Sequence, residues 1–353
     1  MELVREWFRR YASNPQVVLL MLLLIVGIVA IVLIGEMVAP FIAALVLAYI
    51  LDSPVVRLRS LGVNRFWAVC LVFVGFLVLF LIVVLMLLPI LSQQVTQMFV
   101  ELPNAFGVIQ SFASQLQEAY PAVVTGSQVN QIIESVRGQV IEWGQQVLRF
   151  SVGGGISGLI TIVLYLVLVP LMVFFFLKDK HKILNWCAQF LPEQRHLVET
   201  IWGDANDRIG HYMRGKIYEI IIVGVVTWVV FVIIDLKFAV LLAFLTGFSV
   251  LIPYIGAAFV GFPVALVALL QWGVSTETAI ACFAYAVIQA LDGNLLAPLL
   301  FSEVMKLHPI AIILALLVFG GIWGMWGLFF AIPLASLAHA IIKAWPKHKS
   351  EES

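Results

Sequence analysis

The residue best suited to chemistry is Asp292, a carboxylate within a long apolar segment, in the run Gln289-Ala-Leu-Asp-Gly-Asn294. An ionisable side chain inside a membrane segment is costly and therefore indicates a functional role. Gln289 and Asn294 add amide groups, and Gly293 can loosen the helix at the same point. This group could bind a cation, pass a proton or hold the hydroxyls of a polar solute. The alternative is a helix terminus, where Asp292 and Asn294 cap the backbone and Pro298 ends the helix.

The composition of the 353-residue chain predicts a polytopic membrane protein. Apolar residues make up 63% and charged residues 11%, against about 45–50% and about 25% in soluble domains. Twenty basic and 20 acidic residues balance, so no basic surface points to nucleic acid. No triad, zinc-protease or paired-cysteine signature is present, and Gly210-x-x-x-x-Gly215-Lys216 lacks the Ser or Thr that completes a phosphate-binding loop. We therefore expect no enzyme, no cofactor and no metal site.

About eight hydrophobic segments are expected to cross or enter the lipid bilayer as helices. They cover residues 17–34, 37–51, 66–91, 153–177, 217–234, 238–270, 278–300 and 310–342. The second is short for a bilayer about 30 Å thick and must use flanking residues. The predicted fold class is an all-α membrane protein.

The distribution of positive charge predicts the orientation in the membrane. Sixteen of the 20 Lys and Arg residues lie in 1–15, 52–66, 178–216 and 343–349. Because such residues mark cytoplasmic loops, both termini are expected inside. The predicted organisation is N-terminal membrane helices 1–91, an amphipathic helical region 92–152 outside the inner membrane, a membrane helix 153–177, a cytoplasmic amphipathic helical segment 178–216, a transport core 217–345 and a cytoplasmic tail 346–353.

The region 92–152 carries apolar residues at helical spacing on either side of a turn, which predicts two amphipathic helices. These helices could lie on the membrane or pack on their own subunit. Alternatively they contact a second copy of the chain, because an apolar stripe outside the lipid needs a partner. The second interpretation predicts a homo-oligomer.

Two apolar segments, 238–270 and 310–342, are interrupted near their middle. Each would be about 50 Å long as one straight helix, far longer than the bilayer is thick. The interruptions contain Pro253, Tyr254 and Gly256 in the first segment, and Gly320, Gly321 and Gly324 in the second.

The two interrupted segments also align as an internal repeat. At an offset of 71 residues Phe248 meets Phe319 and Gly256 meets Gly327. If each segment is a re-entrant hairpin, the single helix between them makes the repeat inverted, so that the hairpins enter from opposite faces. Paired Gly/Pro interruptions of this kind indicate a transporter site near the midplane, to which Tyr254 would offer a hydroxyl. Two long spanning helices are the alternative.

Seven runs of sequence are distinctive as a set. They are Leu47-Ala-Tyr-Ile-Leu-Asp-Ser-Pro54, Leu168-Val-Pro-Leu-Met-Val-Phe-Phe-Phe-Leu-Lys-Asp179, Tyr212-Met-Arg-Gly-Lys216, Leu251-Ile-Pro-Tyr-Ile-Gly256, Gln289-Ala-Leu-Asp-Gly-Asn-Leu-Leu-Ala-Pro298, Leu307-His-Pro309 and Gly320-Gly-Ile-Trp-Gly-Met-Trp-Gly-Leu-Phe-Phe-Ala-Ile-Pro333. With these runs the chain resembles the autoinducer-2 exporter family of membrane permeases, most closely its PerM-type permeases, over nearly its whole length.

The resemblance implies a secondary transporter of the bacterial inner membrane that exports a small polar solute. It implies a proton or a sodium ion as the coupling ion, and a homo-oligomer for which a pentamer is expected. An oligomeric channel and a non-transporting membrane scaffold are the alternatives. The resemblance does not identify the solute.

Overall fold

The computed structural model describes residues 39–101, 155–189, 196–252, 255–301 and 308–344, with a few further positions between 107 and 142. The described residues form helices joined by short turns, and no strand occurs among them. The predicted segment 17–34 and nearly all of the amphipathic region beyond Glu101 lie outside the described residues. The chain divides into two compact units. Unit 1 is Met1–Val74, Val167–Lys216 and Leu299–Ser353, and unit 2 is Gly75–Leu166 and Ile217–Pro298.

The helices follow the predicted apolar segments. They are α1 (Ala39–Ser60), α2 (Arg65–Glu101), α3 (Gly155–Ala188), α4 (His196–Ile233), α5 (Ala239–Ser249), α6 (Ile255–Trp272), α7 (Thr276–Phe301) and α8 (Pro309–Ala344).

Five stretches of the described chain are long and apolar enough to cross a membrane: α1, α2, Arg208–Ile233 of α4, α6 and α7. The short second segment does use flanking residues, because α1 continues to Ser60 and reaches 22 residues, about 33 Å. In the most apolar 18-residue stretch of α2 no side chain is buried within the chain. A helix that is apolar on all sides without being covered is typical of a membrane span.

The core of unit 2 surrounds the short helix α5. Leu242 on α5, Ala268 on α6 and Ala281 on α7 are fully buried in one apolar cluster. Leu91 of α2 and Phe231 of α4 belong to the same cluster. Burial of these side chains holds α5 among the parts of α2, α4, α6 and α7 that belong to unit 2.

Helices α5 and α6 lie side by side, with contacts at both ends. Before α5, Gln271 donates through Nε2 to the carbonyl of Asp235 at 2.6 Å and accepts through Oε1 from the amide of Lys237 at 2.7 Å. At the far end, a Cβ added to Gly256 would clash with the carbonyl of Ser249. The interruption predicted in 238–270 is therefore a sharp reversal of the chain.

Helix α8 also folds back on itself. Its break lies at Gly324, with φ 58° and ψ −134°, a conformation that only glycine adopts without strain. The halves Ile310–Gly324 and Gly327–Ala338 share one apolar cluster. A Cβ added to Gly327 would clash with the carbonyl of Phe319, so Gly327 repeats the close approach made by Gly256, with which it aligns in sequence.

We expect Gly256→Ala and Gly327→Ala to destabilise the protein. At both positions the new methyl group meets backbone, which cannot rotate away, so a loss of about 1–3 kcal/mol is expected. Gly321→Ala is the matched control, because a Cβ there meets nothing within 4 Å. The measurement is the midpoint of thermal unfolding in detergent. Equal midpoints for the three variants would contradict the two close approaches.

Candidate functional site

Asp292 lies inside α7, because the helix continues beyond it to Phe301. The alternative interpretation expected the helix to end at Pro298, and it does not end there. Residues Asp292–Leu296 form a π-helix, in which the amide of Ala297 donates to the carbonyl of Asp292, five residues back. The wider turn stands directly before Pro298, which has no amide hydrogen and needs room for its ring. Such π segments are frequent at functional sites.

The side chains predicted around Asp292 differ in exposure and in partners. Asp292 is half-buried, whereas Gly293 and Asn294 are exposed. The Nδ2 atom of Asn294 donates to the carbonyl of Ala290 at 2.8 Å. Asn294 therefore bonds the backbone of its own helix through its amide nitrogen.

Gln289 belongs to a hydrogen-bonded chain that reaches helix α6. Its Nε2 atom donates to the hydroxyl of Tyr285 at 2.9 Å, and that hydroxyl donates to the carbonyl of Ala257 at 2.6 Å. Tyr285 is buried, and sequence reasoning missed it. The available signal was the spacing of four residues between Tyr285 and Gln289, which brings them to one helix face.

The residues predicted at the interruptions fall into both units. Pro253 and Tyr254 lie outside the described residues, so the predicted role of the Tyr254 hydroxyl in a solute site also lies outside them. Gly256 forms the close approach to Ser249 in unit 2. The other three glycines lie in unit 1. A Cβ at Gly320 would lie 2.7 Å from the Leu328 side chain, whereas a Cβ at Gly321 would meet nothing within 4 Å. Gly324 has the positive φ at the break of α8.

Two of the distinctive sequence runs, 47–54 and 212–216, meet within unit 1, where α1 contacts α3 and α4. Gly210 and Lys216 lie within helix α4, so they form no phosphate-binding loop. Lys216 is instead buried, with its Nζ atom 5.0 Å from the ring centroid of Phe301. Helix α1 makes three polar contacts. Nζ of Lys180 donates to the carboxylate of Asp52 at 2.7 Å, and the guanidinium of Arg214 donates to the hydroxyl of Ser53 at 3.1 Å. The hydroxyl of Tyr49 donates to the carbonyl of Asn206 at 2.7 Å.

The family model described as "AI-2E family transporter" matches residues 19–347. The chain belongs to the AI-2E transporter family. The family resemblance found in the sequence is thereby confirmed. Like the proteins it matches, this AI-2E transporter is a multi-pass membrane permease and not an enzyme.

Three relatives illustrate the range of similarity. This AI-2E transporter is 45% identical over 347 residues to "Putative permease PerM" of Escherichia coli (strain K12), with 98% of each chain covered. It is 27% identical to "Putative transport protein YueF" of Bacillus subtilis (strain 168), over 89% of this chain and 85% of that protein. It is 24% identical to "AI-2 transport protein TqsA" of Escherichia coli (strain K12), over 89% of each.

Proposed function

We propose that this AI-2E transporter is a secondary transporter of the bacterial inner membrane, which exports a small polar solute coupled to a proton or a sodium ion. The observation that carries the proposal is the chain reversal that occurs twice, each time with a close approach at one of the aligned positions Gly256 and Gly327. Backbone groups freed at such a reversal need partners from protein, water or solute, because lipid offers none. Paired interruptions of membrane helices are typical of transporter binding sites.

Re-entry of α5 and α6 into the membrane is part of the proposal. Helix α5 has 11 residues, about 17 Å, and is too short to cross a bilayer. The contacts of Gln271 with Asp235 and Lys237 keep both ends of this pair together, which supports a hairpin with both ends on one side. With the orientation expected from the positive residues, that side is the outside and both termini are cytoplasmic.

Labelling of single cysteines tests re-entry and orientation together. The exposed Cys187 is compared with the exposed position Thr276, substituted as Thr276→Cys. Cys70 and Cys282 are replaced by alanine in both proteins, and Cys187 is replaced as well in the Thr276→Cys variant. An impermeant maleimide should label Thr276→Cys on intact spheroplasts and label Cys187 only after permeabilisation. If both sites react only after permeabilisation, α5 and α6 together cross the membrane once and the hairpin is wrong. The reversed pattern would overturn the orientation.

We assign the coupling ion to Asp292. Its carboxylate is half-buried within an apolar span and stands at the start of the π segment, and an ionisable group in such a place usually carries an ion or a proton. One relative is named an AI-2 transport protein, which supports a small polar molecule as the exported solute.

Flux into proteoliposomes tests the transport function. Labelled ribose, glycerol and ethanolamine serve as probes, under imposed proton and sodium gradients. We expect saturable, gradient-driven flux that Asp292→Asn abolishes, because the amide keeps the shape and removes the charge. Glu277→Gln is the matched control, since this exposed carboxylate lies at the start of the same helix. Flux without saturation would favour a channel, and no flux of any probe would favour a scaffold.

A homo-oligomer completes the proposal, with a pentamer expected from the family resemblance. It rests on the apolar stripe of 92–152, a region with too many polar residues to be buried in lipid. After bound detergent is subtracted, the mass of the detergent-solubilised protein should be at least two chains of 39.2 kDa each. A monomeric mass would exclude the oligomer.

A further inference from the structure

Hydrogen bonds connect the first turn of α6 to the site on α7. The hydroxyl of Tyr285 donates to the carbonyl of Ala257 at 2.6 Å, and its oxygen accepts from Nε2 of Gln289 at 2.9 Å. Tyr285 is 8% exposed. Its ring packs against Gly261, where an added Cβ would lie 3.2 Å from the ring. The phenol is therefore fixed by a backbone carbonyl on one side and by packing on the other.

The protons of these two hydrogen bonds can be arranged in only one way. A backbone carbonyl accepts and never donates, so the single hydroxyl proton of Tyr285 points to Ala257. The Tyr285 oxygen can then only accept from Gln289, which must turn its NH₂ group towards the phenol. The opposite amide orientation would bring two acceptors together. Oε1 of Gln289 therefore faces away from Tyr285, and no donor in the described part of the chain reaches it.

We propose that Gln289 offers this oxygen to the transported solute, and that Tyr285 is the positioning residue that keeps it in place. The inference rests on the proposed transport function and specifies the chemistry of the solute. A fixed acceptor binds a hydrogen-bond donor, such as an ammonium or hydroxyl group. Asp292 lies three residues further on, a spacing that brings its carboxylate to the same side of α7 as Gln289. Two acceptors together select a donor-bearing solute and reject an anionic one.

The amide orientation is testable without a ligand. In protein labelled with ¹⁵N-glutamine, the side-chain amide protons of Gln289 should exchange slowly with water, and Gln289→Met identifies their signal by its loss. Tyr285→Phe keeps the ring and removes the phenol oxygen, so exchange should accelerate roughly tenfold, the factor that corresponds to one hydrogen bond. Tyr218→Phe changes an exposed tyrosine of α4 and should leave the rate unchanged. Equal rates in Tyr285→Phe and wild type would overturn the positioning role.

Selectivity for donors is tested with two small probes of opposite chemistry. Ethanolammonium chloride carries an ammonium and a hydroxyl, whereas sodium acetate carries only acceptors, and sodium chloride at equal concentration is the reference. Ethanolammonium should raise the midpoint of thermal unfolding of the wild type, and acetate should not. Gln289→Met should abolish this shift and Tyr285→Phe should at least halve it, while Tyr218→Phe should retain it.

The contradicting results are equally specific. Stabilisation by acetate, absence of a shift with ethanolammonium, or a shift that survives Gln289→Met would each overturn the inference. If ethanolammonium binds in a way that depends on Gln289 but no solute is transported, the proposed transport function is wrong and the binding site is still supported. If solute flux is saturable but ethanolammonium gives no shift, the transport function is supported and the proposed selectivity is wrong.

Discussion

Hydrogen bonding of the backbone in lipid is the constraint on which this structure depends. Lipid has neither donors nor acceptors, so every interruption of a helix needs polar groups from the chain itself. Side chains supply them around α5: Oε1 of Gln94 accepts from the amide of Leu241 at 2.8 Å, and Gln271 bonds the two backbone groups just before the helix. The hydroxyls of Thr246 and Ser249 return to carbonyls of α5. A helix of 11 residues is thus stable in an apolar segment because its polar side chains are placed where the backbone needs them.

The same constraint accounts for two unusual backbone conformations at the base of this helix pair. Asp235 and Phe238 have φ values of 55° and 57°, a left-handed conformation that costs about 1–2 kcal/mol in a residue other than glycine. A helix continued through this point would avoid the cost, but it would lose both bonds of Gln271. Phe238 is also buried in the core cluster of unit 2. The bonds and the burial together offset the backbone cost and keep the chain turned towards α6.

Sequence alone predicted those features that depend on composition and local pattern. The apolar segments, the need of α1 for flanking residues and the two interruptions all follow from hydropathy, length and the positions of Gly and Pro. Tyr285 could not be found in this way, because its role depends on Ala257, 28 residues away. Gly293 indicated that the helix can loosen here, but spacing alone does not show that it widens before Pro298 instead of ending there. The bond from Asn294 to the carbonyl of Ala290 likewise depends on the folded helix and not on spacing alone.

The link through Tyr285 makes the chain reversal and the candidate site on α7 mechanically dependent on each other. Ala257 stands one residue after Gly256, at the start of α6, and Gln289 stands one turn before Asp292. A displacement of the reversal relative to α7 must therefore either break the bond between Tyr285 and Ala257 or carry Tyr285 with it. Each outcome changes what holds the amide of Gln289. Because a buried polar group left without its hydrogen bond costs about 1–3 kcal/mol, the orientation of this amide depends on the position of the reversal.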